Sequence, residues 1–284
     1  MLKQYYHVTK PGIIYGNLVT TAAGFLLASQ THIHFVLFIQ ILLAIGLIIA
    51  SACVINNVID REIDSKMTRT QKRALVKGHI SVQAALIYGT ILGLLGFALI
   101  VLYINTLTFY LGLLAYVDYI VFYGFSKRRS VHGTVVGSIA GALPPVAGYC
   151  AATNHLDRGA LLLFFILVFW QMPHFYAIAM YRFKDYKKAG LPVLPVKKGM
   201  KQAKIQILLY IAAFTFTGAL FTILGYTHII FLIIFLGLGF SWFYKGINGF
   251  SVKDDNKWAR GMFFYSLIVN LSMSILLAIG ARLP

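Results

Sequence analysis

Apolar runs of about 20 residues alternate along the chain with polar breaks. Nine such runs stand out: 11–29, 34–55, 83–104, 107–126, 132–152, 159–181, 203–226, 229–248 and 261–281. A helix needs roughly 20 apolar residues to cross a bilayer, so each run predicts one membrane-spanning helix. The breaks themselves alternate in character. "SQTHIH", "INT", "TNHLDRG" and "YTH" are short and nearly free of Lys and Arg, whereas 56–82, 127–131, 182–202 and 249–260 are long or basic. The pattern predicts an all-α, polytopic membrane protein whose single integral-membrane domain covers 1–284. Related polar stretches follow the second and sixth spans. That spacing predicts two four-helix halves, about 11–126 and 132–248, plus a final helix 261–281.

Composition supports the membrane class: 59% of residues are hydrophobic and 12% charged, against about 25% charged in soluble domains. Cys53 and Cys150 are too few for a disulfide scaffold, and the spans put them at opposite depths, so they are expected unpaired. The segment "MLKQYYHVTKPG" lacks the layout of a signal peptide, so the first helix is expected to stay in the mature chain. A net charge of +17 would point to nucleic acid in a soluble protein. Here its placement excludes that reading. Of the 25 Lys and Arg, only Arg158 and Arg282 fall on the poorly charged side, which leaves 23 on the side of the N-terminus. The positive-inside rule then predicts a cytoplasmic N-terminus and an outside C-terminus in the cell's inner (plasma) membrane.

Charge also exposes the candidate chemistry. Three of only eight acidic residues, Asp60, Glu62 and Asp64, fall in "INNVIDREIDSKMTRTQKR" at the cytoplasmic end of the second span. Asn56, Asp60 and Asp64 are spaced i, i+4, i+8, so a helix continued past the membrane edge puts all three on one face. Such an all-oxygen set suits Mg²⁺, which uses one or two carboxylates together with substrate phosphates. Glu62 points elsewhere and is expected in solvent. Lys66, Arg69, Lys72 and Arg73 follow, and guanidinium binds phosphate bidentately, so the bases suit a diphosphate. The plainer reading is a set of interfacial charges pairing along the helix. The strict spacing and a second basic stretch, "YRFKDYKKAGLPVLPVKKG", with Asp185 at the matching end of the sixth span, favour a site.

At these residues the sequence resembles a known family. "NNVIDREIDSKMTRTQKR" resembles the first aspartate-rich motif of the UbiA superfamily of intramembrane prenyltransferases. "GSIAGALPPVAGY" and "WQMPHFYAIAMYRFKDYKKAGLPVLPV" resemble its protoheme IX farnesyltransferase (heme O synthase) branch. The resemblance runs from near residue 10 to near residue 262. It implies nine helices around a central cavity, with Mg²⁺ and a prenyl diphosphate held by two aspartate-rich loops near the cytoplasmic face. The implied substrates are farnesyl diphosphate and heme B, and the product heme O, handed on to heme A synthase or to terminal oxidase assembly. Asn56, Asp60 and Asp64 carry over to the first motif, and Arg69 and Arg73 to its basic tail. Asp185 carries over to the second loop as a metal ligand. Two departures stand out: Ala74 replaces a Pro found in many members, and Ala189 stands four positions after Asp185 where much of the superfamily has a second Asp. Lys184, Lys187 or Lys188 are the candidates to neutralise phosphate there, with Tyr186 beside them.

On this reading an allylic cation forms and needs aromatic faces. Tyr119, Tyr123, Phe175 and Tyr176 lie at suitable depth. His174, after Pro173 in the sixth span, is an intramembrane His and so a functional candidate. It either contacts the heme, iron included, or bonds the backbone carbonyl that Pro173 frees. Lys127, Arg128 and Arg129 either reach the diphosphate or serve only as an orientation signal. Asp118, inside the fourth span, either pairs with a Lys or Tyr or accepts a hydroxyl. Gly133, Gly137 and Gly141 repeat every four residues, a close-packing pattern. His32, His34, His155 and His228 fall at outer loops and are read as interfacial. A superfamily enzyme with another acceptor, such as 4-hydroxybenzoate, is the nearest alternative. A transporter fits less well, because transporters hold charge near the midplane and these carboxylates sit at the rim.

Overall fold

A computed structural model describes residues 2–30 and 32–280. Arg282, counted above for orientation, and the last residue of the predicted ninth span lie outside the described residues. Every element among the described residues is helical: α1 (Leu2–Val8), α2 (Pro11–Ser29), α3 (Phe35–Ile59), α4 (Arg61–Lys66), α5 (Val82–Tyr103), α6 (Thr106–Val117), a π-helical stretch (Asp118–Phe122), α7 (Tyr123–Arg129), α8 (Gly133–Thr153), α9 (Arg158–Tyr181), α10 (Phe183–Lys188), α11 (Leu194–Ile223), α12 (Ile229–Asn248) and α13 (Asp255–Gly280). Nine helices among the described residues are long and apolar enough to cross a membrane, taking Thr106–Arg129 as one.

The apolar runs found the spans but missed some of their polar ends. α3 runs on to Ile59, α13 begins at Asp255, and α11 begins at Leu194, with a break at Gly199 (φ 85). In each case the extra turns are polar, so hydropathy does not register them, yet their backbone bonds still close. The short, weakly charged breaks supply helix caps. His34 Nδ1 accepts Leu37 N at 3.2 Å, Asn105 Oδ1 accepts Thr108 N at 2.8 Å, and Asp157 Oδ1 accepts Ala160 N at 3.1 Å. Each satisfies a donor left over at a helix start.

α9 is the inner helix and packs against α8, α11 and α13, while α2 packs on α8 and α3 on α5. Without a hydrophobic drive between helices in lipid, small residues permit close approach. At Gly24 a Cβ would collide with the Pro145 carbonyl oxygen, and at Gly148 with that of Thr21, so α2 and α8 cross backbone to backbone. The Gly133, Gly137 and Gly141 stripe is likewise close-packed, against the Lys127 backbone, the Tyr123 ring and the Gln171 amide respectively.

The fourth span is not the uninterrupted helix that its apolar run predicts. At Asp118 the ladder widens, and Tyr123 N bonds Asp118 O, five residues back. Asp118 is buried. Its Oδ2 accepts the backbone N–H of Ala140 in α8 at 3.1 Å, rather than bonding any Lys or Tyr. A helix ladder that slips one residue is a common device near functional sites, and this one lies one turn before Tyr123.

The polar segments collect at one end of the bundle. Thr68 N donates to Asp185 Oδ1 at 3.2 Å, joining the segment after α3 to the one after α9. Lys204 Nζ, in α11, donates to Gly249 O at 2.7 Å and to Asp255 Oδ1 at 2.5 Å. Asn256 Nδ2 donates to Tyr181 O at 2.8 Å. Cys53 and Cys150 are both free and buried.

Candidate active site

Asn56, Asp60 and Asp64 do share a face, although the helix breaks between them. α3 ends at Ile59 and α4 restarts at Arg61, with Asp60 (φ −89, ψ 2) as the joint. The backbone bonds Asp60 N to Asn56 O (2.9 Å) and Asp64 N to Asp60 O (2.8 Å) carry the helical spacing through it. Each polar side chain of the trio meets a cation from another part of the chain. Asp60 Oδ2 takes Lys127 Nζ at 2.5 Å, with Arg128 at 3.4 Å from Oδ1. Asp64 Oδ2 takes Arg73 at 2.5 Å. Asn56 Oδ1 takes Lys10 Nζ at 3.0 Å. Glu62, as expected, is solvated, pairing only with Lys66 one turn on, and that bond holds its carboxyl below the usual range.

The loop after α4 folds back to make this possible. Thr70 Oγ1 donates to Asp64 O at 2.9 Å, and Leu75 and Ile80 bury against Val8, Val54 and Ala85. Arg73 therefore arrives at Asp64 on a packed support and also donates to Asn57 Oδ1 at 3.1 Å. Asn57 in turn donates to Val8 O at 2.7 Å, which ties α1 to the site.

α7 forms the opposite wall. Lys127 lies 4.9 Å over the Tyr123 ring, and Tyr123 stacks on Tyr119 with centroids 5.6 Å apart. Gly137 leaves the space that the Tyr123 ring fills. Tyr123 is within electrostatic reach of Asp60, Arg69 and Tyr186, and Tyr186 of Arg69, Arg182 and Asp185. Burial raises the Tyr186 phenol, Arg69 opposing, so it stays a neutral donor. Arg69 is exposed and makes no ion pair among the described residues, as is true of Lys184 and Lys188 in α10. Five bases, Lys10, Arg69, Arg73, Lys127 and Arg128, thus face three carboxylates, Asp60, Asp64 and Asp185. The excess of positive charge suits a polyanion.

The donor set fits Mg²⁺. All its members are oxygen ligands, and no cluster of three or more His, Cys, Asp or Glu stands ready among the described residues. An ion there would rest on one or two carboxylates and take its other ligands from phosphate and water, as Mg²⁺ prefers. Asn56 suits that role least, since its oxygen already accepts from Lys10.

His174 lies apart from this rim, among α9 and α13. Its Nδ1 is 2.7 Å from Ser266 Oγ, and Ser266 Oγ donates to Phe263 O at 2.6 Å. The serine thus fixes the orientation of the ring through Nδ1. Trp170 stacks on the ring at 4.9 Å. The partner is a serine on another helix, not the carbonyl that Pro173 frees.

Lys10 is the site residue that sequence reasoning missed. It was counted only as orientation signal, but it immediately precedes Pro11, at the positive end of the α2 dipole. A cation is disfavoured there unless something else requires it. It also sits in the left-handed region (φ 55, ψ 64), which costs a residue with a Cβ about 1–2 kcal/mol. Ser266 and Asn57 left no comparable signal, because their partners are far off in sequence.

A polytopic helical membrane protein with a cation-rich, carboxylate-bearing rim is the class that fold and site define. Residues 17–268 match the UbiA prenyltransferase family, and the chain belongs to that family. Its relatives include the protoheme IX farnesyltransferase of Klebsiella pneumoniae, 47% identical, covering 100% of this chain and 97% of the relative. That of Protochlamydia amoebophila is 47% identical, covering 97% of each. Protoheme IX farnesyltransferase 2 of Pseudomonas putida is 44% identical, covering 99% of this chain and 96% of the relative. Among solved structures, a digeranylgeranylglyceryl phosphate synthase study gives a chain with TM-score 0.81 at 19% identity, covering 99% of both. A UbiA homolog from Archaeoglobus fulgidus bound to GPP and Mg²⁺ gives 0.70 at 19% identity, covering 97% of this chain and 99% of that one. These likenesses show the fold.

Proposed function

We propose that the protein transfers the farnesyl group of farnesyl diphosphate to a vinyl group of heme B, with hydration, giving heme O. The observation that carries the reading is the rim itself. Asp60 and Asp64 are one helical turn apart, each holding a cation that a diphosphate can take over, in a chain related over its whole length to protoheme IX farnesyltransferases.

Asp60 and Asp64 would hold Mg²⁺, with Asp185 facing them from the second loop, and the ion would supply Lewis-acid stabilisation of the leaving diphosphate. Arg69, Arg73 and Lys127 bind its phosphate oxygens and stabilise the charge that builds as the C1–O bond breaks. Lys184 and Lys188 add charge at the entrance, and Tyr186 donates to the anion. The Tyr119–Tyr123 stack offers its faces to the allylic cation and excludes water from it. The heme vinyl carbon then bonds to C1. Water adds to the resulting cation at the porphyrin-side carbon and loses a proton, leaving a hydroxyethylfarnesyl group. His174, stacked on Trp170, would contact the heme. The active site lies at the cytoplasmic end of the bundle.

The test is direct. Purified protein with heme B, farnesyl diphosphate and Mg²⁺ should yield heme heavier by a farnesyl and a hydroxyl group. Asp60→Ala should lose about 10²–10³-fold in rate, and EDTA should stop the reaction. Turnover with 4-hydroxybenzoate but not heme would replace this acceptor, and wild-type turnover by Asp60→Ala would sink the metal assignment.

A further inference from the structure

α13 has a lipid side and an inner side. Leu267, Ile268 and Leu271 are exposed, whereas Ser266 and Asn270 are buried, and the helix packs on α2 and α9. Asn270 follows Ser266 by one turn, so their side chains share a face about 6 Å apart. Ser266 Oγ meets His174, and Trp170 Nε1 donates to Ser266 O at 2.8 Å. Asn270 therefore lies one turn beyond the His174–Trp170 pair, further from the polar rim at which α13 begins.

The side chain of Asn270 lacks a partner for its oxygen. Oδ1 is buried without a hydrogen bond, in a residue only 9% exposed. Ser274 Oγ donates to the backbone carbonyl of Asn270 at 2.8 Å and leaves the amide alone. An unpaired amide oxygen is costly in any protein interior, and more so at bilayer depth, where water does not relieve it. The helices that meet there offer no cation. Among the described residues α2 has no Lys or Arg, α9 has none after Arg158, and α13 has none after Arg260. A ligand group that reaches Asn270 must therefore be neutral and carry a hydrogen-bond donor.

The shape of heme B supplies such a group. Its vinyls lie along one edge of the macrocycle and its two propionic side chains along the opposite edge. With a vinyl held at the Tyr119–Tyr123 wall and the ring beside His174, the propionic edge points away from the rim, toward the turn that carries Asn270. A carboxyl that leaves water without meeting a cation keeps its proton. In that form it matches a primary amide: its O–H donates to Oδ1, and Nδ2 donates to its carbonyl oxygen.

We propose that Asn270 is a specificity-determining residue of the acceptor pocket, the receptor for a protonated propionic group of the heme. The inference rests on the prenyl-transfer reading with heme as acceptor. It accounts for how the pocket tells one edge of a flat apolar macrocycle from another, because pinning the propionic edge turns a vinyl edge toward the farnesyl carbon.

The experiment compares heme B with its dimethyl ester, which keeps the carbonyl oxygens and loses the O–H donors. Binding of each to the full-length protein in phosphatidylcholine nanodiscs is followed by the heme absorbance, and farnesyl transfer is then measured with farnesyl diphosphate and Mg²⁺. Wild type should bind heme B about 10-fold more tightly than the ester, the worth of one buried hydrogen bond. Asn270→Leu should bind heme B about 10-fold more weakly than wild type and should no longer distinguish the two ligands. Its melting temperature should not fall, since the change removes an unpaired polar atom. A purely structural role for Asn270 would weaken both ligands together and keep their ratio, which would overturn the assignment. Asn270→Val is the second variant, and its ratio decides if Asn270→Leu does not fold. No preference in wild type, or a preference that both variants retain, overturns the assignment while farnesylation of heme stands. A wild type that neither binds nor farnesylates heme, and farnesylates 4-hydroxybenzoate, overturns the acceptor reading and this inference together.

Discussion

At the scale of single residues, the site is held by charge pairs of unequal burial. Asp64 has 3% of its side chain exposed and Arg73 28%. Removing the arginine strands a buried carboxylate, so Arg73→Ala should cost about 3–5 kcal/mol. Asp64→Asn, which leaves an exposable arginine, should cost less; thermal unfolding in detergent compares the two. Ser266 orients the His174 ring through a 2.7 Å contact. If His174 ligates heme iron, His174→Ala shifts the Soret band of the bound heme. Ser266→Ala keeps the band but weakens heme binding about 10-fold, as loss of the group that orients a ligating His does. Equal spectra and affinity in His174→Ala would exclude ligation. The pairing of Asp60, Asp64 and Arg73 into one charged cluster was legible because they lie in one short motif, whereas Lys127 was open between the diphosphate and an orientation signal until its contact with Asp60 was seen. Lys10 and Ser266 were not legible, because what defines them is a partner 46 or 92 residues away.

At the scale of elements, position along the chain was easier to read than the course of the backbone. Apolar runs located the nine spans found among the described residues, since bilayer thickness fixes helix length. They did not reveal the joint at Asp60, the break at Gly199 or the π stretch, because hydropathy counts apolar residues and not hydrogen-bond register. The α2–α8 crossing carries the element-level prediction. Gly24→Val, pressed into the Pro145 carbonyl, should cost about 3 kcal/mol by overpacking. Gly12→Ala in the same helix, with open space around it, should not lower the melting temperature.

At the scale of the whole molecule, the bases of four separate segments meet at one face, and the proposal that this face is cytoplasmic rests on the positive-inside count. Cys53 and Cys150 are buried, so cysteines introduced elsewhere label cleanly. Asn154→Cys should react with an impermeant maleimide in intact cells, and Lys184→Cys only in inverted vesicles. The opposite pattern would invert the topology and move the active site outside.

The widened turn at Asp118 acts as a phase setting. One extra residue in a turn rotates everything beyond it by roughly 100° about the helix axis. Lys127 on Asp60 and Tyr123 against Gly137 both belong to the rotated frame. The fourth span is therefore indexed like a dial: lipid and neighbouring helices fix its outer part, and a single residue sets which way its inner end faces. Insertions or deletions of one residue at 118–122 would re-aim the face that carries Tyr123 and Lys127 while leaving hydropathy, span length and charge almost unchanged.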